Sequence, residues 1–159
     1  MFKVIQWATG GVGKAAISYI AAHPQLELVG CWVSSDDKVG RDVGEICGLP
    51  ALGVIATSDV EVLMALDADC VMYSPVMADR ALVSRLLASG KNVVTPLGWF
   101  YPGDRDVSDL EAACMEGGTT LHGTSPTRNT IESRLAANLT LRVNALDTAP
   151  LLVALGDGQ

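Results

Sequence analysis

The stretch "QWATGGVGKAA", Gln6 to Ala16, decides how the chain is read. It follows the run Phe2-Lys3-Val4-Ile5 and falls short of two nucleotide-binding signatures at once. Against the phosphate loop, G-x-x-x-x-G-K-[ST], it keeps Gly13-Lys14 but has Ala8 in the first glycine slot and Ala15 in the hydroxyl slot. That loop needs its hydroxyl to hold Mg²⁺, and no apolar run ends in the aspartate that would serve the metal's other side. Lys14 then reads as a solvated residue of a first helical turn. Against the dinucleotide fingerprint, G-x-G-x-x-G, the stretch keeps Gly10 and Gly13. Gly10 lets a pyrophosphate approach the backbone, and Gly13 lets the helix pack on the strand, helped by small Ala16. The first glycine serves the turn itself, and Ala8 adds one methyl there, which fits if φ stays negative. The alternative is a helix start whose glycines serve packing alone.

The surroundings favour the dinucleotide reading. Strand-length apolar runs at 3–8, 26–33, 53–56, 70–73, 92–95 and 119–122 alternate with helix-period segments. The first helix is expected over 11–22, with Val12, Ala15, Ala16, Tyr19 and Ile20 on its apolar face. Ser58-x-x-Glu61 and Ser108-x-x-Glu111 read as capping boxes that open two further helices. A helix over 79–89 closes at Gly90, and another stops at Gly117-Gly118. The strand-like runs do not alternate, which fits a parallel sheet buried on both faces. The fold class is therefore α/β: a doubly wound parallel sheet of Rossmann type, with strand order 3-2-1-4-5-6 and a short atypical C-terminal tail.

The second run ends at Trp32-Val33-Ser34-Ser35, followed by Asp36-Asp37, Lys38 and Arg41. Ser34 and Ser35 suit either a ribose hydroxyl or a 2′-phosphate. Lys38 and Arg41 favour the phosphate, and the two aspartates oppose it. The balance tips slightly to NADP over NAD, against the plainer reading of a solvated loop. Two more loops follow strand carboxyl ends, where ligands bind in this architecture. They are Ser74-Pro75-Val76 and the segment from Pro96 through Gly98 and Trp99 to Pro102. The aromatics of the second suit either a wall beside a nicotinamide ring or a contact between copies.

Composition narrows the partners. The chain has 159 residues, 49% apolar, and a net charge of −7. An acidic chain repels a phosphate backbone, so nucleic acid is not expected. No apolar run is long enough for a bilayer span, and no signal-peptide pattern opens the chain, so no membrane is expected and the setting is cytoplasmic. Cys31, Cys47, Cys70 and Cys114 lack C-x-x-C spacing and read as free thiols, with no metal site.

These pieces together resemble a family. "VIQWATGGVGKAA", "KVGRDVGEICG", "DADCVMYSP", "SGKNVVTPLGW" and "LHGT" are similar to the N-terminal half of the dihydrodipicolinate reductase-like oxidoreductases, in particular their 2,4-diaminopentanoate dehydrogenase (amine dehydrogenase)-type relatives. The resemblance covers roughly residues 2–124, and its most specific parts are Gly40–Glu45 and Asn92–Pro96. It implies NAD(P)H bound by a Rossmann domain and hydride moved to or from a carbon bonded to nitrogen, on a small imine or amine. It also implies that Thr9, Gly10, Gly11, Val12 and Gly13 contact the pyrophosphate and that Ser34, Ser35 and Lys38 lie by the adenosine ribose. Ser74, Pro75 and Val76, with Thr95, Pro96, Gly98 and Trp99, would line the route to the nicotinamide.

The departures are Ala8, where relatives have glycine, and the sequence after Thr124. The relatives' proton-transferring histidine and lysine are not matched, so no catalytic residue is assigned. The expected organisation is an NAD(P)-binding domain over 1–124 and a truncated or divergent tail over 125–159, not a full substrate domain. The alternative function is an inactive nucleotide-binding or sensor module. A homo-oligomer is expected in either case.

Overall fold

The computed structural model describes residues 1–97 and 106–123. Six strands form one sheet: β1 (Phe2–Trp7), β2 (Leu26–Trp32), β3 (Ala56–Thr57), β4 (Cys70–Tyr73), β5 (Asn92–Thr95) and β6 (Leu121–Gly123). The order is β3-β2-β1-β4-β5-β6 with every pair parallel, as expected from the alternation of strands and helices. The helices are α1 (Gly11–Ala22), α2 (Val43–Cys47), α3 (Val60–Met64), α4 (Arg80–Ala88) and α5 (Ser108–Gly117).

Both faces of the sheet are covered, which is why the strands do not alternate. On β1, Val4 packs with Ala16, Ile20 and Met72 on the α1 side. Its neighbours Ile5 and Trp7 pack with Leu63, Tyr73, Val83 and Leu86 on the other. Successive residues of a strand face opposite ways, so two apolar layers demand an unbroken apolar run. Each of the larger aliphatic side chains contributes about 1.5–3 kcal/mol when fully buried. Ile17 and Ile20 are buried on α1, whereas Ala15 and Tyr19 of the expected face are only half-buried.

Several local expectations are corrected. The third strand is Ala56–Thr57 rather than 53–56, because Ile55 pairs antiparallel with Asp42 instead. Ser58 does not cap α3. The carboxylate of Asp59 accepts from the amides of Glu61 and Val62, so the helix starts one residue later. Ser108 does not cap α5 either, since its own amide donates to Asp106 Oδ1. At the far end of α5, Gly118 takes φ 64° and stops the helix as expected.

Candidate functional site

Because all strands are parallel, their carboxyl ends share one edge. The sheet order reverses between β1 and β4, the switch point outside whose strand carboxyl ends open α/β sheets bind their ligands. Thr9–Gly13 follow β1, Ser34, Ser35, Lys38 and Arg41 follow β2, Ser74–Val76 follow β4, and Pro96 follows β5, whose last residue is Thr95. Gly98 and Trp99 lie outside the described residues.

The turn after β1 is built around Ala8. Its amide donates to Trp32 O at 2.9 Å, and its carbonyl accepts from Gln6 Nε2 at 2.9 Å. Its φ is +76°, so the expectation of a negative φ is wrong. The chain must turn back so tightly that the residue adopts the left-handed region despite its methyl. That conformation costs an L-residue about 1–2 kcal/mol, partly offset by a less flexible unfolded chain. Ala8→Gly is therefore expected to stabilise the protein by about 1 kcal/mol, read as a rise in the urea midpoint at unchanged slope. An unchanged or lowered midpoint would show that the turn is unstrained.

Gly13 sits beneath that turn. A Cβ there would lie 2.1 Å from Ala8 O. Gly10 and Gly11 are the opposite: both are exposed, and a Cβ on either would meet nothing within 4 Å. No side chain caps α1, and no acidic residue stands in its first turn. The first amides of a helix lack intrahelical partners and carry the positive end of its dipole. An open, uncapped, glycine-lined helix start of this kind accommodates a phosphate against the backbone. Val12 is half-buried against the α1 layer.

The loop after β2 delivers a cation to the same place. Lys38 ends a 3-10 turn, Asp36–Lys38, and its Nζ donates to the Oγ1 of buried Thr9 at 3.2 Å. Ser35 Oγ donates to Asp37, and this bond is the main reason that the Asp37 carboxyl lies below its usual range. Ser34, Asp36 and Arg41 are exposed. The structure thus brings Lys38 to the turn after β1 and engages Asp37 with Ser35.

Asp42 explains the Gly40–Glu45 stretch, which the sequence offered only as a mark of resemblance. Its Oδ1 accepts from the amides of Gly44 at 2.8 Å and Leu52 at 2.9 Å, and its Oδ2 from that of Gly53 at 2.8 Å. Gly44 is needed beside it, since a Cβ there would lie 2.0 Å from Pro50 O. The staple closes the loop that leads from Lys38 and Arg41 to β3. The Leu52 amide, above all, holds the Asp42 carboxyl below its ordinary value. Arg80, on α4, likewise holds Asp109 down to about 2. Both folded-state values are depressed, so both contributions are present above the unfolded carboxylate value of about 4 and are lost as pH falls below it. Urea midpoints are expected to fall between about pH 4 and pH 2, with a shallower fall in Asp42→Asn. An equal slope in the variant would deny Asp42 its part.

After β4, Ser74 is buried and its amide donates to Trp7 O at 3.1 Å. Pro75 is half-buried, while Val76 and Met77 are exposed at 97% and 82%, leaving apolar surface just beyond the carboxyl end of β4. After β5, the Oγ1 of buried Thr95 accepts from Leu97 N at 3.1 Å, and Pro96 is half-buried. Sequence reasoning missed Gln6 as well as Asp42. The available signal was a lone polar side chain in the run Val4-Ile5-Gln6-Trp7, every residue of which is buried.

Comparison with known proteins agrees with this architecture. The family model described as "Dihydrodipicolinate reductase, N-terminus" matches residues 4–96, more than half of the chain. An amine dehydrogenase of Streptomyces virginiae is 41% identical over 108 residues, covering 64% of this chain and 29% of that protein. A 4-hydroxy-tetrahydrodipicolinate reductase of Synechococcus elongatus is 43% identical over 63 residues, covering 40% of this chain and 23% of that protein. The chain thus spans less than a third of the length of these curated relatives. Among solved structures, an amine dehydrogenase from Mycobacterium smegmatis superposes with a TM-score of 0.68 at 23% identity, over 77% of this chain and 39% of that one. The chain belongs to the dihydrodipicolinate reductase N-terminal family, and its parallel sheet is that family's NAD(P)-binding Rossmann domain.

Proposed function

We propose that the chain, through a cofactor domain spanning 1–124, binds NADPH in preference to NADH and serves hydride transfer at a carbon bonded to nitrogen in a small imine or amine. The observation that carries the cofactor reading is the open Gly10–Gly11 helix start with Lys38 drawn to Thr9 beside it. In this reading Thr9–Gly13 hold the pyrophosphate and Ser34, Ser35, Lys38 and Arg41 surround the adenosine ribose. Ser74–Val76, Thr95 and Pro96, joined by Gly98 and Trp99, face the nicotinamide half. The bound nicotinamide supplies or accepts the hydride, and the residues of this chain bind and orient it.

The lean to NADP rests on Lys38 and Arg41 together with the engagement of Asp37 by Ser35, which occupies one of the two opposing carboxylates. The imine or amine substrate class rests on the kinship with the amine dehydrogenase and the dipicolinate reductase. The four free cysteines, two of them buried, suit a reducing cytoplasm. A homo-oligomer is proposed from the apolar run Leu151-Leu152-Val153-Ala154-Leu155 in the sequence.

Fluorescence titration with NADPH and NADH tests the reading. Lys38→Ala is expected to weaken NADPH about tenfold, as for loss of one charge-assisted hydrogen bond, and NADH by less than about threefold. Equal losses would remove the NADP preference, and no binding of either cofactor by the wild type would sink the proposal. Turnover of cyclic imines or amino ketones then separates an oxidoreductase from a binding module.

A further inference from the structure

Gln6 is a further polar feature of the β1 turn, at a position to which the dinucleotide fingerprint assigns no role. It lies at the penultimate position of β1 and is fully buried. Its Nε2 donates to Ala8 O at 2.9 Å, to Ser74 Oγ at 2.9 Å and, more weakly, to Trp7 O at 3.2 Å. Ser74 Oγ donates its one hydrogen bond to Trp7 O at 3.2 Å, so toward Gln6 it acts as an acceptor. The orientation of the amide is therefore set by its neighbours. Reversing it would point Oε1 at two carbonyl oxygens.

Two further facts mark this as more than core filling. Oε1 is the one buried side-chain polar atom among the described residues that has no hydrogen-bond partner. A buried amide satisfied at one end only is a poor choice for stability alone. The two groups that Nε2 reaches at 2.9 Å belong to two separate loops. One is the left-handed Ala8 turn, whose carbonyl also lies against Gly13. The other is the start of the loop after β4, on the far side of β1 from β2. In the cofactor reading above, a whole dinucleotide would span both loops, whereas its adenosine half would lie by the first and the loop after β2.

We propose that Gln6 is a positioning residue that registers the phosphate turn at Ala8 against the loop after β4, so that both halves of a bound dinucleotide meet one preset frame. Gln6 touches no ligand itself; it acts through Ala8 and Ser74. Removing its donor leaves the loop after β4 held to β1 only through the two bonds from Ser74 to Trp7 O, with the Ala8 carbonyl no longer fixed against it, and the longer ligand must restore that spacing on binding. The inference rests on the cofactor reading above and deepens it.

The test compares the full chain with Gln6→Met, which keeps the volume and loses the donor. Gln6→Asn, which keeps an amide too short to span Ala8 and Ser74, serves if the first variant does not fold. Each is titrated with whichever of NADPH and NADH the wild type holds more tightly, and with the matching half-ligand, 2′,5′-ADP or AMP. The expected result is about a tenfold loss for the dinucleotide and less than about a threefold loss for the half-ligand. In a Ser74→Ala background the Gln6 substitution is expected to cost the dinucleotide markedly less, because the link is already cut. Wild-type binding with equal losses for both ligands, or with none, overturns this inference and leaves the cofactor reading standing. A wild type that binds neither dinucleotide overturns both.

Discussion

Gly13→Ala is expected to destabilise the protein by about 3 kcal/mol or more and to abolish dinucleotide binding. The added methyl would meet a carbonyl oxygen at 2.1 Å and a carbonyl carbon at 2.9 Å, both of Ala8. Neither is the free end of a flexible side chain. To make room, α1 must lift from β1 or the Ala8 turn must open. Lifting α1 strips burial from Ala16, Ile17 and Ile20, whose relative exposures are 4%, 0% and 1%. Opening the turn breaks the bonds from Gln6 to Ala8 and from Ala8 to Trp32. Either route moves the helix start that forms the proposed phosphate cradle. Urea denaturation and an NADPH titration of the same sample check both halves. A variant of wild-type stability would mean that the turn and helix are looser than described.

Trp7→Ala carries the second large effect, about 3–5 kcal/mol. Trp7 is buried to 1% exposure, stacked on Trp32 with centroids 5.4 Å apart and planes at 9°, and tilted against Tyr73 at 6.1 Å. The three rings come from the carboxyl ends of β2, β1 and β4 and belong to the core layer that Leu63, Val83 and Leu86 complete, directly below the loops that follow those strands. Removing the central one leaves a cavity beneath the loops that carry Thr9, Ser34 and Ser74. The outer rings are tethered elsewhere, Trp32 Nε1 to Ser58 O and Tyr73 OH to the amide of Asp79. They cannot simply collapse inward, which places the loss at the upper part of the range. Trp7→Phe keeps a ring and is expected to recover about half of that loss. A Trp7→Ala chain that unfolds at the wild-type urea concentration would contradict this account of the aromatic layer.

The parallel sheet was legible in the sequence because β-strand and α-helix signals alternate with short connections, and its order followed from the dinucleotide fingerprint after the first strand. Gly10 and Gly13 were legible because their chemistry is tied to spacing. Other features were not. Helix α2 has five residues, too few to display a period. The cap of α3 falls on Asp59 because an aspartate one residue beyond a serine competes for the same amides. The φ of Ala8 is imposed by the close packing of α1 on β1, a tertiary demand that the residue type argues against. The approach of Lys38 to Thr9 joins residues on different loops, and no spacing rule foresees it. Asp42 stood in a stretch singled out by resemblance, but its work as a backbone staple appears only once Leu52 and Gly53 fold back on it.

The central claim is that a nicotinamide dinucleotide lies across the carboxyl edge of this sheet, with its phosphates on the start of α1. The most direct measurement is an NADPH titration of the isotope-labelled chain, followed by backbone amide NMR. The predicted result is saturable shifts concentrated on Thr9–Gly13, Ser34–Lys38 and Ser74–Val76, largest at Gly10 and Gly11. Amides at the opposite edge, such as those of Asp69 and Lys91, stay in place. Shifts confined to that opposite edge, or none at saturating NADPH and NADH, would contradict the account.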